Sequence, residues 1–166
     1  MMQRFSIVLS LMFNPDLLIM DEATTALDVV TQNQILDEIV RLEEQMGITR
    51  VMITHDISVV AGTCKNVAVL YAGSLLEAGP TDRVLVEPMH PYTQGLTDSF
   101  PKFETGARKP LVSIGGSLPD LSALPAGCVF APRCKYACDV CRAKKPQLRE
   151  INGRRVACHL AGGETT

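Results

Sequence analysis

Three carboxylates and one imidazole carry the most legible chemistry in this sequence. The stretch "LLIMDEATTALD" (Leu17 to Asp28) closes an apolar run with Asp21 and Glu22 and reaches a third carboxylate at Asp28. A second apolar run, "RVMIT", leads into His55 and Asp56. A parallel strand ending in Asp-Glu delivers both side chains to the C-terminal edge of its sheet, the edge at which open α/β sheets bind ligands. There Asp21 would help hold Mg2+ and Glu22 would polarise an attacking water. His55, at the end of a neighbouring strand, would reach a transferring phosphoryl group and position that water. Asp28 also suits the N-cap of a following helix. A separate set lies near the other end, where Cys128, Cys134, Cys141 and Cys158 follow the spacing C-x5-C-x6-C-x16-C. Four thiolates suit either a four-iron, four-sulfur (4Fe-4S) cluster or tetrahedral Zn2+, and sulfur ligands alone leave the two open.

The elements that must position these groups follow from the hydrophobic pattern. "MQRFSIVLSLMF" predicts a helix stopped at "NPD", because Pro15 cannot continue it. "LLIM" and "RVMIT" read as short buried parallel strands. Between them, from Thr31 to Met46, Ile35, Leu36, Ile39, Val40 and Leu42 share one helical face, and Gly47 is placed as a C-cap. "DISVVAGTC" predicts a short helix capped by Asp56, and "NVAVLY" with "SLLEAG" a hairpin about Ala72-Gly73. Strand, helix, strand, helix in this order predicts an α/β layered domain with a mainly parallel sheet.

Nine of the ten prolines lie at Pro80 or beyond, which marks a change of architecture. Short helices are expected in "TDRVLVEP" and "PYTQGLTDSF", then a proline- and glycine-punctuated stretch from Phe100 to Gly127, then the cysteines. The expected division is residues 1–86 as the α/β part and residues 87–166 as a small irregular cysteine-rich part. From Cys128 to His159, eight basic residues face only Asp139 and Glu150. So small a region lacks the apolar residues for an independent core, and a metal staple would compensate. The formal net charge of −2 gives no reason to expect nucleic acid or an anionic membrane. The longest apolar stretch, "FSIVLSLMF", is far short of the roughly 20 residues that span a bilayer. With no small-residue cleavage site after it, the expected setting is cytosolic, where clustered cysteines point to metal rather than disulfides.

The motifs resemble those of a known family. "LLIMDEATTALD" resembles the Walker B motif and D-loop of ATP-binding cassette ATPases, "ITHD" resembles their H-loop, and "MMQRFSIVLSLMFNP" is similar to the helix after the family's signature tetrapeptide. "HPYTQGL" (His90 to Leu96), "GGSLPDLSALPAGCVFAPRC" and the later "C…RVACH" resemble the C-terminal extension of oligopeptide and dipeptide importer ATPases. The resemblance implies a partial P-loop NTPase fold with ATP and Mg2+ as ligands. Asp21 becomes the magnesium-associated aspartate, Glu22 the catalytic base, His55 the switch histidine and Asp28 the residue facing an opposite subunit. It also implies a 4Fe-4S cluster on Cys128, Cys134, Cys141 and Cys158, with His90 and Tyr92 structural. The implied partners are a second cassette subunit, transmembrane permease subunits and, through the complex, a peptide-binding protein, at the cytoplasmic face of the cell membrane.

The departures matter as much. No Gly-x-x-x-x-Gly-Lys-Ser/Thr loop, glutamine loop or signature tetrapeptide occurs, so the amides and lysine that cradle phosphates are missing. The expectation is a cassette cut within its domain, without appreciable ATPase activity alone and with apolar faces of "LLIM" and "RVMIT" exposed. The competing readings are a catalytically inactive metal-binding interaction module and a truncated-gene product. Cys138 also departs from the pattern. It creates "CKYACDVC", similar to the cluster motif of radical S-adenosylmethionine enzymes, but that motif opens a large barrel and only 25 residues follow Cys141.

Overall fold

A computed structural model describes residues 2–24, 28–99 and 114–163. Thr25, Ala26 and Leu27 of the D-loop, and residues 100–113 of the proline- and glycine-punctuated stretch, lie outside the described residues. The chain divides into two units, Met1–Thr63 and Cys64–Thr166.

In the first unit, α1 (Met2–Leu11) ends before Pro15, as a ring without an N–H requires. β1 (Leu17–Asp21) then leads through α2 (Val29–Met46) to β2 (Thr49–Ile53), and α3 (Ile57–Thr63) follows. β1 and β2 pair in parallel, from Leu17 opposite Thr49 to Asp21 opposite Ile53. The two strands thus form a βαβ unit, since parallel neighbours need a crossover. α2 begins two residues earlier than its apolar face suggests, because Asp28 accepts a hydrogen bond from the Thr31 N–H at 2.9 Å. It ends where Gly47 takes the left-handed conformation at φ 69°. The core is Leu18, Met20, Ile39 and Ile48, with Ile7 and Leu11 of α1 packed against it. The opposite side of the sheet is open: Leu17, Ile19, Val51 and Ile53 are 45–62% exposed.

In the second unit, β3 (Asn66–Tyr71) and β4 (Ser74–Pro80) form a hairpin whose turn residues, Ala72 and Gly73, both have positive φ. That turn suits the right-handed twist of the strands it joins. Two short helices follow, α4 (Thr81–Val86) and α5 (Pro91–Asp98), and later a one-turn helix α6 (Asp139–Ala143). β5 (Arg149–Ile151) and β6 (Arg154–Val156) form a second hairpin about Asn152-Gly153, and the four strands assemble antiparallel in the order β3-β4-β6-β5. The α/β fold with a parallel sheet is thus present, and among the described residues parallel pairing is confined to β1 and β2. Two-residue turns join neighbours only in antiparallel fashion, which fixes the β3–β4 and β5–β6 pairs of the larger sheet. The ladder between β4 and β6 joins residues on both sides of residue 86.

One buried ion pair organises this unit. Glu77 of β4 is fully buried, and its carboxylate accepts from the backbone N–H groups of Met89 and His90 at 2.9–3.2 Å. The Arg154 guanidinium of β6 lies 3.8 Å from it and donates to the carbonyls of Arg83 and Glu87. A buried carboxylate needs such partners to remain charged. Glu77 and Arg154 therefore fasten the start of α5 to the central strands.

Candidate functional sites

The first site is built at the C-terminal end of the parallel pair. Glu22 leaves β1 with its N–H donating to the Ile53 carbonyl at 2.9 Å, which extends the ladder by one residue. Its φ of 45° lies in the left-handed region, where a residue bearing a Cβ is strained by about 1–2 kcal/mol. Such strain persists only where the surroundings enforce it, and it concentrates at functional positions. Here the backbone turn brings Glu22 across to the end of β2. Its Oε1 lies 3.3 Å from Nδ1 of His55, with both side chains largely open to solvent. Asp21 occupies the last register position of β1, opposite Ile53, on the exposed side of the strand. Asp28 sits at the head of α2 as its N-cap, and the Thr31 hydrogen bonds hold its carboxyl below the ordinary carboxylate range. Asp56 caps α3 in the same manner, with the Ser58 hydrogen bonds lowering its pKa.

The second site lies in the other unit. Cys128, Cys134, Cys141 and Cys158 all line one small closed cavity, whose other walls include His90, Phe130 and Leu160. Gly127 permits the approach of two of these segments, because a Cβ there would collide with the carbonyls of Cys141 and Arg142. The Cys128 N–H donates to the Cys141 carbonyl at 2.8 Å as a result. Backbone N–H groups also point at sulfur: Leu160 donates to Sγ of Cys158 at 3.4 Å, and Tyr136 serves Cys134. These donors favour thiolate, whereas burial pushes the thiols of Cys134, Cys141 and Cys158 up.

Four thiols with amide donors to sulfur, in a pocket also lined by His90 and His159, fit a thiolate-bound metal centre in donor chemistry. Among the described residues, however, no three His, Cys, Asp or Glu side chains converge closely enough to hold one ion. Tetrahedral zinc, with Zn–S bonds of about 2.3 Å, would require tighter convergence than this. The enclosed space measures ≈ 10 Å³, so a four-iron cluster would require the thiols to turn outward around it.

Several features of this site were not foreseen. His90 caps α5, its Nδ1 accepting from the Tyr92 N–H at 3.0 Å, so a neutral ring carries its proton on Nε2. The ring is buried beside Phe130, and desolvation lowers its pKa to about 4. The buried Glu77 and Arg154 gave no local signal, being separated by most of the second unit. The Asn152-Gly153 turn did carry one, since Asn-Gly is a strong two-residue hairpin signal. Finally, Sγ of Cys138 lies 3.4 Å from Sγ of Cys141.

Comparisons with known proteins agree with the motifs. Residues 76–141 match the family described as oligopeptide/dipeptide transporter, C-terminal region. Over 95% of its length the chain is 43% identical to a peptide import ATP-binding protein of Brucella melitensis, covering 42% of that protein. It is 42% identical to the dipeptide transport ATP-binding protein DppD of Haemophilus influenzae, covering 96% of this chain and 48% of the relative. A solved structure of cbiO1 from Clostridium perfringens, part of an ABC transporter complex, aligns over 51% of this chain and 34% of that one, with 34% identity and a TM-score of 0.48. The chain spans a little under half the length of these curated relatives. In sequence the chain is thus similar to peptide and dipeptide import ATP-binding proteins, and its residues 76–141 to the oligopeptide/dipeptide transporter C-terminal region.

Proposed function

We propose that this chain supplies the water-activating half of an ATP-hydrolysing cassette that drives peptide uptake. The observation that carries this reading is the contact between Glu22 and His55 across the ends of two parallel strands. In the reading, the Glu22 carboxylate accepts the proton of an attacking water. His55 holds that water and the terminal phosphoryl group in line, and Asp21 anchors the metal's water shell. Mg2+, when bound with ATP, would neutralise charge developing on the phosphates. Asp28 faces a second cassette subunit. Permease subunits, with a peptide-binding protein, complete an assembly at the cytoplasmic face of the membrane; the described residues contain no helix long and apolar enough to cross one. The sequence contains no Gly-x-x-x-x-Gly-Lys-Ser/Thr motif, so in this reading the phosphate cradle is supplied in trans or by further sequence.

The test is a chimaera in which this chain replaces the matching part of the Haemophilus relative. The chimaera should hydrolyse ATP, and Glu22→Gln should reduce turnover by at least about 100-fold. A folded chimaera without turnover, or one indifferent to Glu22→Gln, would refute the proposal.

A second reading is a metal-binding interaction module, and the four thiols around one pocket favour it. On this reading Cys128, Cys134, Cys141 and Cys158 hold a 4Fe-4S cluster or Zn2+ as a structural cross-link. Iron and zinc analysis of the purified chain distinguishes the two metals.

A further inference from the structure

Cys138 is the cysteine that the four-thiol set leaves out, and its geometry gives it a partner. It is the N-cap of α6, in extended conformation, so the two residues between it and Cys141 form the first turn of the helix. The Cys141 N–H donates to the Cys138 carbonyl at 3.0 Å and closes that turn. A Cys-x-x-Cys pair across a first turn places both sulfurs on one side, and here they are 3.4 Å apart. A disulfide bond is about 2.05 Å long, so closing this gap takes small side-chain rotations and leaves the backbone in place. Access is asymmetric. Cys138 is partly exposed, whereas Cys141 is buried and faces the cavity shared with Cys128, Cys134 and Cys158.

We propose that Cys138 and Cys141 form a reversible dithiol–disulfide pair, and that closing it withdraws Cys141 from the four-thiol pocket. The oxidant is a low-molecular-weight disulfide. The Cys138 thiolate attacks one of its sulfurs, forming a mixed disulfide and releasing one thiol, which takes up a proton. Cys141 then loses its proton, attacks the Cys138 sulfur and releases the second thiol. Two protein thiols are oxidised and one small disulfide is reduced to two thiols, with both protons accounted for. The first half of the proposal stands on sulfur geometry alone. The second rests on reading the pocket as a metal site.

The experiment uses the full chain, freed of metal and equilibrated without oxygen at a series of ratios of reduced to oxidised glutathione. After acid quenching and alkylation, tryptic cleavage places both residues on the peptide Tyr136–Arg142. That peptide should lose two hydrogen atoms as the buffer becomes oxidising, while the other four cysteines remain alkylated. Cys138→Ser should abolish this loss. A glutathione adduct that persists on Cys138, or a bridge from Cys141 to Cys128 or Cys134, would overturn the proposal. Each sample is then offered ferrous iron and sulfide, and bound iron is measured. Oxidised wild-type chain should bind at least about tenfold less iron than reduced chain, whereas Cys138→Ser should load at every ratio. Equal loading of a chain whose bridge is closed would overturn the second half. Should the bridge form while no sample takes up iron, the dithiol pair stands and the metal reading fails. Should iron load while no bridge forms, the dithiol pair fails and the metal reading stands.

Discussion

His90 shows how one buried side chain sets a pH dependence. Its pKa falls from 6.5 to about 4 because burial disfavours the imidazolium. The unfolded chain therefore binds a proton that the folded chain refuses. The resulting stability is fully present above pH 6.5 and is lost progressively as pH falls from 6.5 towards 4. In the metal-free chain the loss should be on the order of 3 kcal/mol. His90→Asn retains a capping acceptor without a titrating group, so its unfolding free energy should change less over that window, as measured by urea denaturation at each pH. At this scale the sequence was partly legible. Asp21, Glu22 and His55 stood out because apolar strands end on them, and the Glu22–His55 contact follows from that placement. The lining of the cysteine pocket by His90 did not stand out, since it depends on folding between residues far apart in the chain. Nor did the left-handed backbone at Glu22, a conformation that no local residue choice announces.

Among the elements, β4 bears the most connections, and its central residue tests them. Glu77 holds the start of α5 through two backbone N–H groups and faces Arg154 of β6. Glu77→Gln removes the charge and leaves Arg154 buried without its carboxylate. Thermal and urea unfolding should show a loss of about 3 kcal/mol, because removing one partner strands the other. The elements of the first unit were legible almost residue by residue: Pro15 stops α1, Gly47 ends α2, and two short apolar runs form β1 and β2. The second sheet was read only as its first hairpin. β6 is three residues long and contains two arginines, so hydrophobic alternation could not mark it. It is a strand because Val156 and Arg154 are buried against β4 and its neighbours, a tertiary cause that overrides local propensity.

For the whole molecule, the exposed side of the β1–β2 sheet sets the behaviour in solution. Two strands with an uncovered apolar face are marginal alone and invite association. The purified chain should therefore sediment as concentration-dependent oligomers. Ile19 and Val51 are directly opposed in the ladder, so Ile19→Lys combined with Val51→Glu places an ion pair on that face and should shift the sedimentation to monomer. A wild-type chain that sediments as one monomeric species at all concentrations would contradict this. The sequence predicts exposed apolar residues on these two strands, and Leu17, Ile19, Val51 and Ile53 are exposed.

The pairing of β4 with β6 has a further consequence during synthesis. β4 is complete when Pro80 leaves the ribosome, but its second partner is not made until Val156. At about 5–20 residues per second, that interval lasts on the order of 4–15 seconds. Throughout it, every nascent copy displays a bare strand edge to its neighbours on the same message, and strand exchange between copies is the error this topology must outrun.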